Sequence, residues 1–315
     1  MSAPSLSSAP AAAPRAPLTK KLLTADHPTW CPGCGDFAVL AAFYRVLEKL
    51  DYPQESIVTM AGIGCSSRFP YFVNTHGGHF IHGRSLPFSA GVSLGRDDLH
   101  VFVFGGDGDG FSIGGNHLDH VARKNIDLTY VIMDNSVYGL TKKQTSPTSP
   151  LGFKTKTDPT GAIDHPVNPM RKLLASGATF VARSHATQVN HMIEMMTRAA
   201  RHRGFSVVEI LSECVEFFPG AFDAGNPRKG GAFTLIEERK HDGSPEDAAR
   251  HDVADEAAAF RLASLAWPGA FGVFYENNER PTKNALEAGL VARARERTKG
   301  ATDLALLQAA FARLR

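Results

Sequence analysis

The sequence predicts an α/β protein built on a doubly wound parallel sheet. Three observations carry that expectation. Short apolar runs recur near Ile57, Val101, Val131, Phe180 and Val207, each of strand length. Stretches with helical spacing separate them, giving a β-α-β-α-β order. Several runs exit into loops that carry Gly, Asp, Asn or Cys, the residues needed where open α/β sheets bind their ligands, at the carboxyl ends of the strands.

The elements follow in order. Residues 1–17, MSAPSLSSAPAAAPRAP, are Ala, Pro and Ser with one Arg; they lack a continuous apolar core and carry too little Arg for a transit peptide, so a disordered arm and a cytoplasmic location are expected. Cys31-Pro-Gly-Cys34 precedes a helix over Asp36–Leu50 with Phe37, Leu40, Ala41, Tyr44 and Leu47 at helical spacing and Asp36 as N-cap. The field at that helix's start would favour thiolates. Ser56–Ala61 is a strand that exits through Gly62-Ile63-Gly64-Cys65-Ser66-Ser67. Phe69–Phe80 is aromatic and irregular; His82-Gly83-Arg84 leads to a helix over Pro87–Leu94. Leu99–Phe104 and Leu128–Met133 are buried strands around a helix over Ser112–Lys124, with Ile113, Leu118 and Val121 inward. Lys142–Val167 has no periodicity and a length typical of active-site or interface loops. A helix over Asn168–Ala175 has Pro169 in its first turn. A strand at Thr179–Ala182, a helix over Thr187–His202 and a strand at Phe205–Leu211 follow, the last exiting through Ser212-Glu213-Cys214. Beyond Gly220 the pattern fades: Glu237–Asp255 reads as a solvated segment, Trp267–Tyr275 as apolar and aromatic, and Ala301–Leu314 as an amphipathic helix. The expected organisation is therefore a domain over 18–235 and an extension over 236–315 that contacts a partner.

Totals exclude little. A chain of 315 residues, 43% hydrophobic and 21% charged, suits an ordinary globular protein. A net charge of +2 gives no sign of a nucleic-acid partner, and no apolar run approaches membrane-spanning length. Four cysteines in a chain this long make no disulfide scaffold; a CxxC points to metal or redox chemistry.

The chemistry concentrates in Gly105–Gln144. Asp107 ends one expected strand and Asn135 another, so two oxygen ligands meet at one sheet edge. Mg²⁺ takes such oxygens and commonly shares them with a phosphate, while the glycines of Gly105-Gly106-Asp107-Gly108-Asp109-Gly110 let backbone approach a ligand closely. The local reading is a Mg²⁺–diphosphate site. Cys31, Cys34, Cys65 and Cys214 converge beside it if the fold is correct, and four thiolates suit Zn²⁺ or a [4Fe-4S] cluster; spacing does not choose between them.

GDGD followed at this distance by DNSVYGLTKKQTSP resembles the diphosphate motif of thiamine diphosphate enzymes, above all the β subunit of 2-oxoacid:ferredoxin oxidoreductases. Trp30-Cys31-Pro32-Gly33-Cys34-Gly35, Gly62-Ile63-Gly64-Cys65-Ser66 and Ser212-Glu213-Cys214 match three further elements of that family, and the resemblance covers about Ala25–Gly220. It implies a thiamine diphosphate-binding fold. Mg²⁺ would be held by Asp107, Asn135 and the carbonyl of Val137. A [4Fe-4S] cluster would be held by Cys31, Cys34, Cys65 and Cys214. The cofactor would be lined by Ile63, Gly64, Cys65, Ser66, His82, Gly106, Gly108, Asp109 and Leu140, with Lys142 meeting a substrate carboxylate. It further implies CoA-dependent oxidative decarboxylation of a 2-oxoacid, with 2-oxoglutarate favoured and ferredoxin as electron acceptor. An α subunit would complete the enzyme, as an αβ dimer or a dimer of heterodimers. Competing readings are a non-redox thiamine decarboxylase subunit with structural Zn²⁺ and a metal-stabilised binding subunit without catalysis. One position departs from the family: Lys143 stands where Gly is common, and a positive φ there costs Lys more than Gly.

Overall fold

The structure is a computed structural model, described here over residues 15–313; most of the expected arm, and Leu314 at the end of the expected C-terminal helix, lie outside that range. Seven strands form one sheet: β1 (Ile57–Ala61), β2 (His76–His79), β3 (His100–Gly106), β4 (Leu128–Asp134), β5 (Phe180–His185), β6 (Phe205–Leu211) and β7 (Gly272–Glu276). Their order is β2-β1-β3-β4-β6-β5-β7, parallel throughout except for β7, which runs antiparallel to β5. All five expected strands are present. β2 is hidden in sequence because its HGGH carries no apolar residue and it pairs only at an edge. β7 overlaps the end of Trp267–Tyr275 and runs one residue past it, so the sheet is completed by a strand from the stretch expected to be an extension.

Each face of the sheet buries its own layer, as the pleat demands. On β4, Val131 and Met133 face a core with Val39, Phe43 and Leu47 of helix α1 (Asp36–Leu50), where Phe43 meets Phe104 edge-on at 4.9 Å between ring centres. Tyr130 and Ile132 face the opposite core. That core is closed by Leu86 of α2 (Ser85–Gly95), Leu118 and Val121 of α3 (Gly115–Lys124) and Met170 of α4 (Pro169–Ala175). Helix α5 (Val189–Arg201) packs Met192, Met195 and Met196 beside α1, and α6 (Glu256–Ala263) packs Ala259 beside α4.

Four expectations are corrected. Asp36 is the first helical residue and Gly35 the cap; the Asp36 carboxylate is turned inward and accepts from Ser212 Oγ at 2.6 Å. Ile113 is 50% exposed, because Gly108–Ile113 forms a wide π-helical turn that shifts the register before α3 begins. Glu237–Asp255 is not merely solvated. The carboxylate of Asp247 is buried and accepts from Lys240 N at 2.6 Å, while Arg198 of α5 bridges Glu238 and Glu276 at 2.8 and 2.7 Å. Finally, two helices close the chain, α7 (Lys283–Arg297) and α8 (Asp303–Ala312), where only the second was expected; neither buries a residue. No helix among the described residues is long and apolar enough to cross a membrane.

Candidate active site

The strand order reverses between β1 and β3, since β2 lies outside β1 while β4 and its successors lie beyond β3. Such a switch point opens a crevice at the carboxyl ends. Here that crevice lies between the loop after Ala61 and the GDGD turn after Gly106. It is lined by Ile63, Gly64, Cys65, Ser66, His82, Gly106, Asp107, Gly108, Asp109, Asn135, Val137, Tyr138, Gly139, Leu140 and Thr141. The structure thus brings together every residue expected to line a cofactor or hold Mg²⁺. Gly108 is required by close approach: a Cβ there would sit 2.1 Å from the Tyr138 ring.

Asp107 is buried, and its Oδ2 accepts from the hydroxyls of Ser146 and Thr148, the latter at 2.7 Å. Burial raises its carboxyl above the usual carboxylate range against the pull of those hydroxyls. Asp134, the last residue of β4, is also buried. It accepts from Ser136 N at 2.8 Å, and its Oδ1 lies 2.9 Å from Thr148 Oγ1, whose single proton serves both carboxyls. Burial, then the nearby Asp107 and Glu209 carboxylates, hold it well above its ordinary value. Asn135 Oδ1 accepts from Val137 N at 3.1 Å, shaping the turn that carries both residues past β4. Thr148 Oγ1 lies within hydrogen-bond distance of both carboxyls and so joins them in one buried network. Ser146, Thr148, Asp134 and Tyr138 were missed in sequence. Hydroxyl residues in an aperiodic loop give no signal, although the length of the loop did.

Asp109 sits in the crevice wall with its carboxylate turned into the protein: Oδ1 accepts from Ile63 N at 3.0 Å, Gly83 N at 2.7 Å and His82 Nδ1 at 2.6 Å. Leu140 is 52% exposed at the rim. Lys142 is exposed and does not line the crevice; it and Lys143 follow one another with φ of 71° and 76°. The strain expected at Lys143 is therefore present, and Lys142 shares it.

The cysteine segments are stitched together. Cys34 N donates to Cys31 O at 3.0 Å, Gly35 N to Glu213 O at 3.2 Å, and Trp30 Nε1 to Cys65 O at 2.7 Å. A Cβ on Gly139 would lie 3.5 Å from Cys214 Sγ and 3.8 Å from Cys65 Sγ. Burial pushes the Cys65 thiol up to about 12, helped by Asp36, Cys214 and Cys31; burial and then Asp36 push Cys34 up as well, and burial raises Cys214. The expected thiolate-favouring field of α1 is thus outweighed in the bare protein. Among the described residues, no three His, Cys, Asp or Glu side chains are arranged to hold a metal ion as they stand.

Residues 61–210 match the thiamine pyrophosphate enzyme C-terminal TPP binding domain family. The subunit β of 2-oxoacid:ferredoxin oxidoreductase 1 from Aeropyrum pernix is 38% identical over 84% of this chain and 81% of its own length. This chain belongs to the 2-oxoacid:ferredoxin oxidoreductase β-subunit family. Another member, 2-oxoglutarate oxidoreductase subunit KorB from Mycobacterium tuberculosis, is 47% identical over 71% of this chain; the match spans 60% of that relative's length. A solved structure of 2-oxoglutarate:ferredoxin oxidoreductase from Magnetococcus marinus, with 2-oxoglutarate, coenzyme A and succinyl-CoA bound, superposes with a TM-score of 0.80. Its sequence is 37% identical, over 92% of this chain and 95% of that one. The doubly wound fold, the family and its thiamine-binding domain therefore agree with the expectations drawn from sequence.

Proposed function

We propose that this β subunit binds Mg²⁺–thiamine diphosphate in the crevice between β1 and β3 and a [4Fe-4S] cluster at its four cysteines. Its function would be the CoA-dependent oxidative decarboxylation of a 2-oxoacid, 2-oxoglutarate being favoured, with ferredoxin as acceptor. The observation that carries this is the meeting of Asp107, Asn135 and the Cys65 loop in one crevice at the switch point of the sheet. When bound, thiamine diphosphate supplies a carbon nucleophile and an electron sink for a 2-oxoacid.

The chain's own residues would hold and orient these groups. The Asp107 carboxylate, the Asn135 amide and the Val137 carbonyl would offer Mg²⁺ three oxygens from residues that line one crevice, and an all-oxygen donor set suits that hard cation. Gly106 and Gly108 admit a diphosphate against the backbone, with His82 on its flank and Ile63, Gly64, Ser66 and Leu140 along the cofactor. Cys31, Cys34, Cys65 and Cys214 offer four sulfurs; a bound cluster would reverse the burial penalty that now protonates Cys34 and Cys65. Cys65 belongs to both sites, which keeps the path from cofactor to cluster short. Lys142 lies on the exposed loop, in reach of substrate only if that loop or a partner brings it inward, so it is proposed as a carboxylate contact in the assembled enzyme. That assembly is proposed as an αβ unit, single or paired.

The test is Mg²⁺-dependent thiamine diphosphate binding by calorimetry on the complex with its α subunit. Asp107→Ala and Asn135→Ala should each weaken binding by at least about tenfold with the fold intact by circular dichroism. Unchanged affinity in both would remove the assignment.

A further inference from the structure

Asp109 does a job that no ligand role explains. It is 2% exposed, two residues beyond Asp107 in the π-helical turn, and makes no capping bond to that turn. All three donors to its Oδ1 come from far along the chain: Ile63 N and, from a second segment, Gly83 N and His82 Nδ1. Its Oδ2 is sealed from solvent and without a hydrogen-bond partner among the described residues. Oδ1 is taken up by donors of the protein itself, and Oδ2 is closed off from solvent. Both partner loops press against the turn it belongs to. A Cβ on Gly62 would lie 2.3 Å from Asp109 Oδ2, and one on Gly83, whose φ is +71°, would lie 2.6 Å from Gly114 N.

We propose that Asp109 is a positioning residue. Through one carboxylate oxygen it fixes the His82 ring and the Cys65 loop relative to each other across the crevice. Accepting the hydrogen bond from Nδ1 leaves Nε2 as the free nitrogen of the ring. Holding Ile63 N fixes the loop two residues before Cys65, whose carbonyl Trp30 holds from the other side at 2.7 Å. A buried carboxylate with three N–H donors holds such a geometry more tightly than a neutral acceptor would. The proposal rests on the reading of the crevice as the thiamine diphosphate site.

The experiment uses the complex with the α subunit and four variants: Asp109→Asn, Asp109→Leu, His82→Ala and the double variant Asp109→Asn/His82→Ala. It reads the dissociation constant of Mg²⁺–thiamine diphosphate and the amide hydrogen exchange of residues 62–66 and 81–84. Asp109→Asn keeps an oxygen for the N–H donors but loses the charge. It should weaken binding by about tenfold, an effect that shrinks to less than about threefold in the His82→Ala background. Asp109→Leu should speed exchange in those two segments and leave α1 and α5 protected. Additive effects of Asp109→Asn and His82→Ala, or a folded Asp109→Leu protein with wild-type exchange in both segments, would overturn the proposal. If Asp109→Leu does not fold, the Asn cycle decides alone. Tight wild-type binding that Asp109→Asn leaves untouched overturns the positioning role and spares the site; absence of wild-type binding overturns both.

Discussion

Lys142 and Lys143 are where backbone geometry and sequence disagree most openly. Both take left-handed φ in a closed loop where Lys143 N donates to Tyr138 O at 3.1 Å. A non-glycine residue pays about 1–2 kcal/mol for that conformation, and glycine recovers part of it after its larger unfolded-state entropy is counted. Lys143→Gly should therefore stabilise the protein by about 0.5–1 kcal/mol in urea unfolding, at the cost of the ammonium that sits 5.3 Å above the Phe153 ring. Equal or lower stability would mean that this cation–π contact outweighs the strain. At this scale the sequence was legible wherever a residue's chemistry is specific. Asp107, Asn135 and Cys65 line the expected crevice, and they stand out in sequence because a carboxylate, an amide and a thiol at strand ends have specific chemistry. Thr148 and Ser146 do not, because a hydroxyl acquires its role only from the carboxylate that folding places beside it. Asp109 was legible as a residue of the crevice wall but not in its orientation, since the direction a carboxylate faces is decided by loops 26 to 46 residues away.

At the scale of elements, periodicity read the buried parallel strands well and failed at both sheet edges. β1, β3, β4, β5 and β6 are buried on both faces; β1, β3, β4 and β6 are mainly apolar, so their composition announces them, whereas β5 (FVARSH) is apolar only in its first half. β2 consists of two glycines between two histidines, and β7 joins the sheet only by pairing with β5, Gly272 lying opposite Arg183. The region around β5 and α5 also sets an acid limit. His185, His191 and His202 are each lowered from their ordinary value, in every case mainly by burial. A histidine depressed in the folded state contributes stability that is complete above the unfolded value near 6.5 and is lost as pH falls below it. Stability should therefore decline on acidification from pH 6.5, each histidine adding a slope of at most about 1.4 kcal/mol per pH unit. His202, which bonds Thr179 Oγ1 at 2.9 Å and Asn278 Oδ1 at 3.0 Å, is the clearest probe. Chemical unfolding of His202→Gln at pH 7.5, 6.5 and 5.5 should give a shallower decline than wild type; parallel curves would assign the acid sensitivity elsewhere.

At the scale of the whole molecule, one domain of a thiamine enzyme is present, with its crevice rim and its C-terminal helices uncovered. Ile81, next to His82 in sequence, and Ile113, at the end of the π-helical turn, are exposed, as are Leu304, Leu307 and Phe311 of α8. The isolated chain should be silent in 2-oxoacid-dependent reduction of ferredoxin or a dye, with Mg²⁺, thiamine diphosphate and CoA supplied. Adding the α subunit should restore turnover; robust CoA-dependent turnover by the chain alone would contradict the division of labour. The central claim joins the crevice to a four-sulfur site through Cys65, and metal content tests it most directly. Protein purified anaerobically with its α subunit should carry about four iron and four acid-labile sulfide per β chain, and Cys214→Ser should lose both. Stoichiometric zinc with no sulfide, or full iron and sulfide retained in Cys214→Ser, would contradict it.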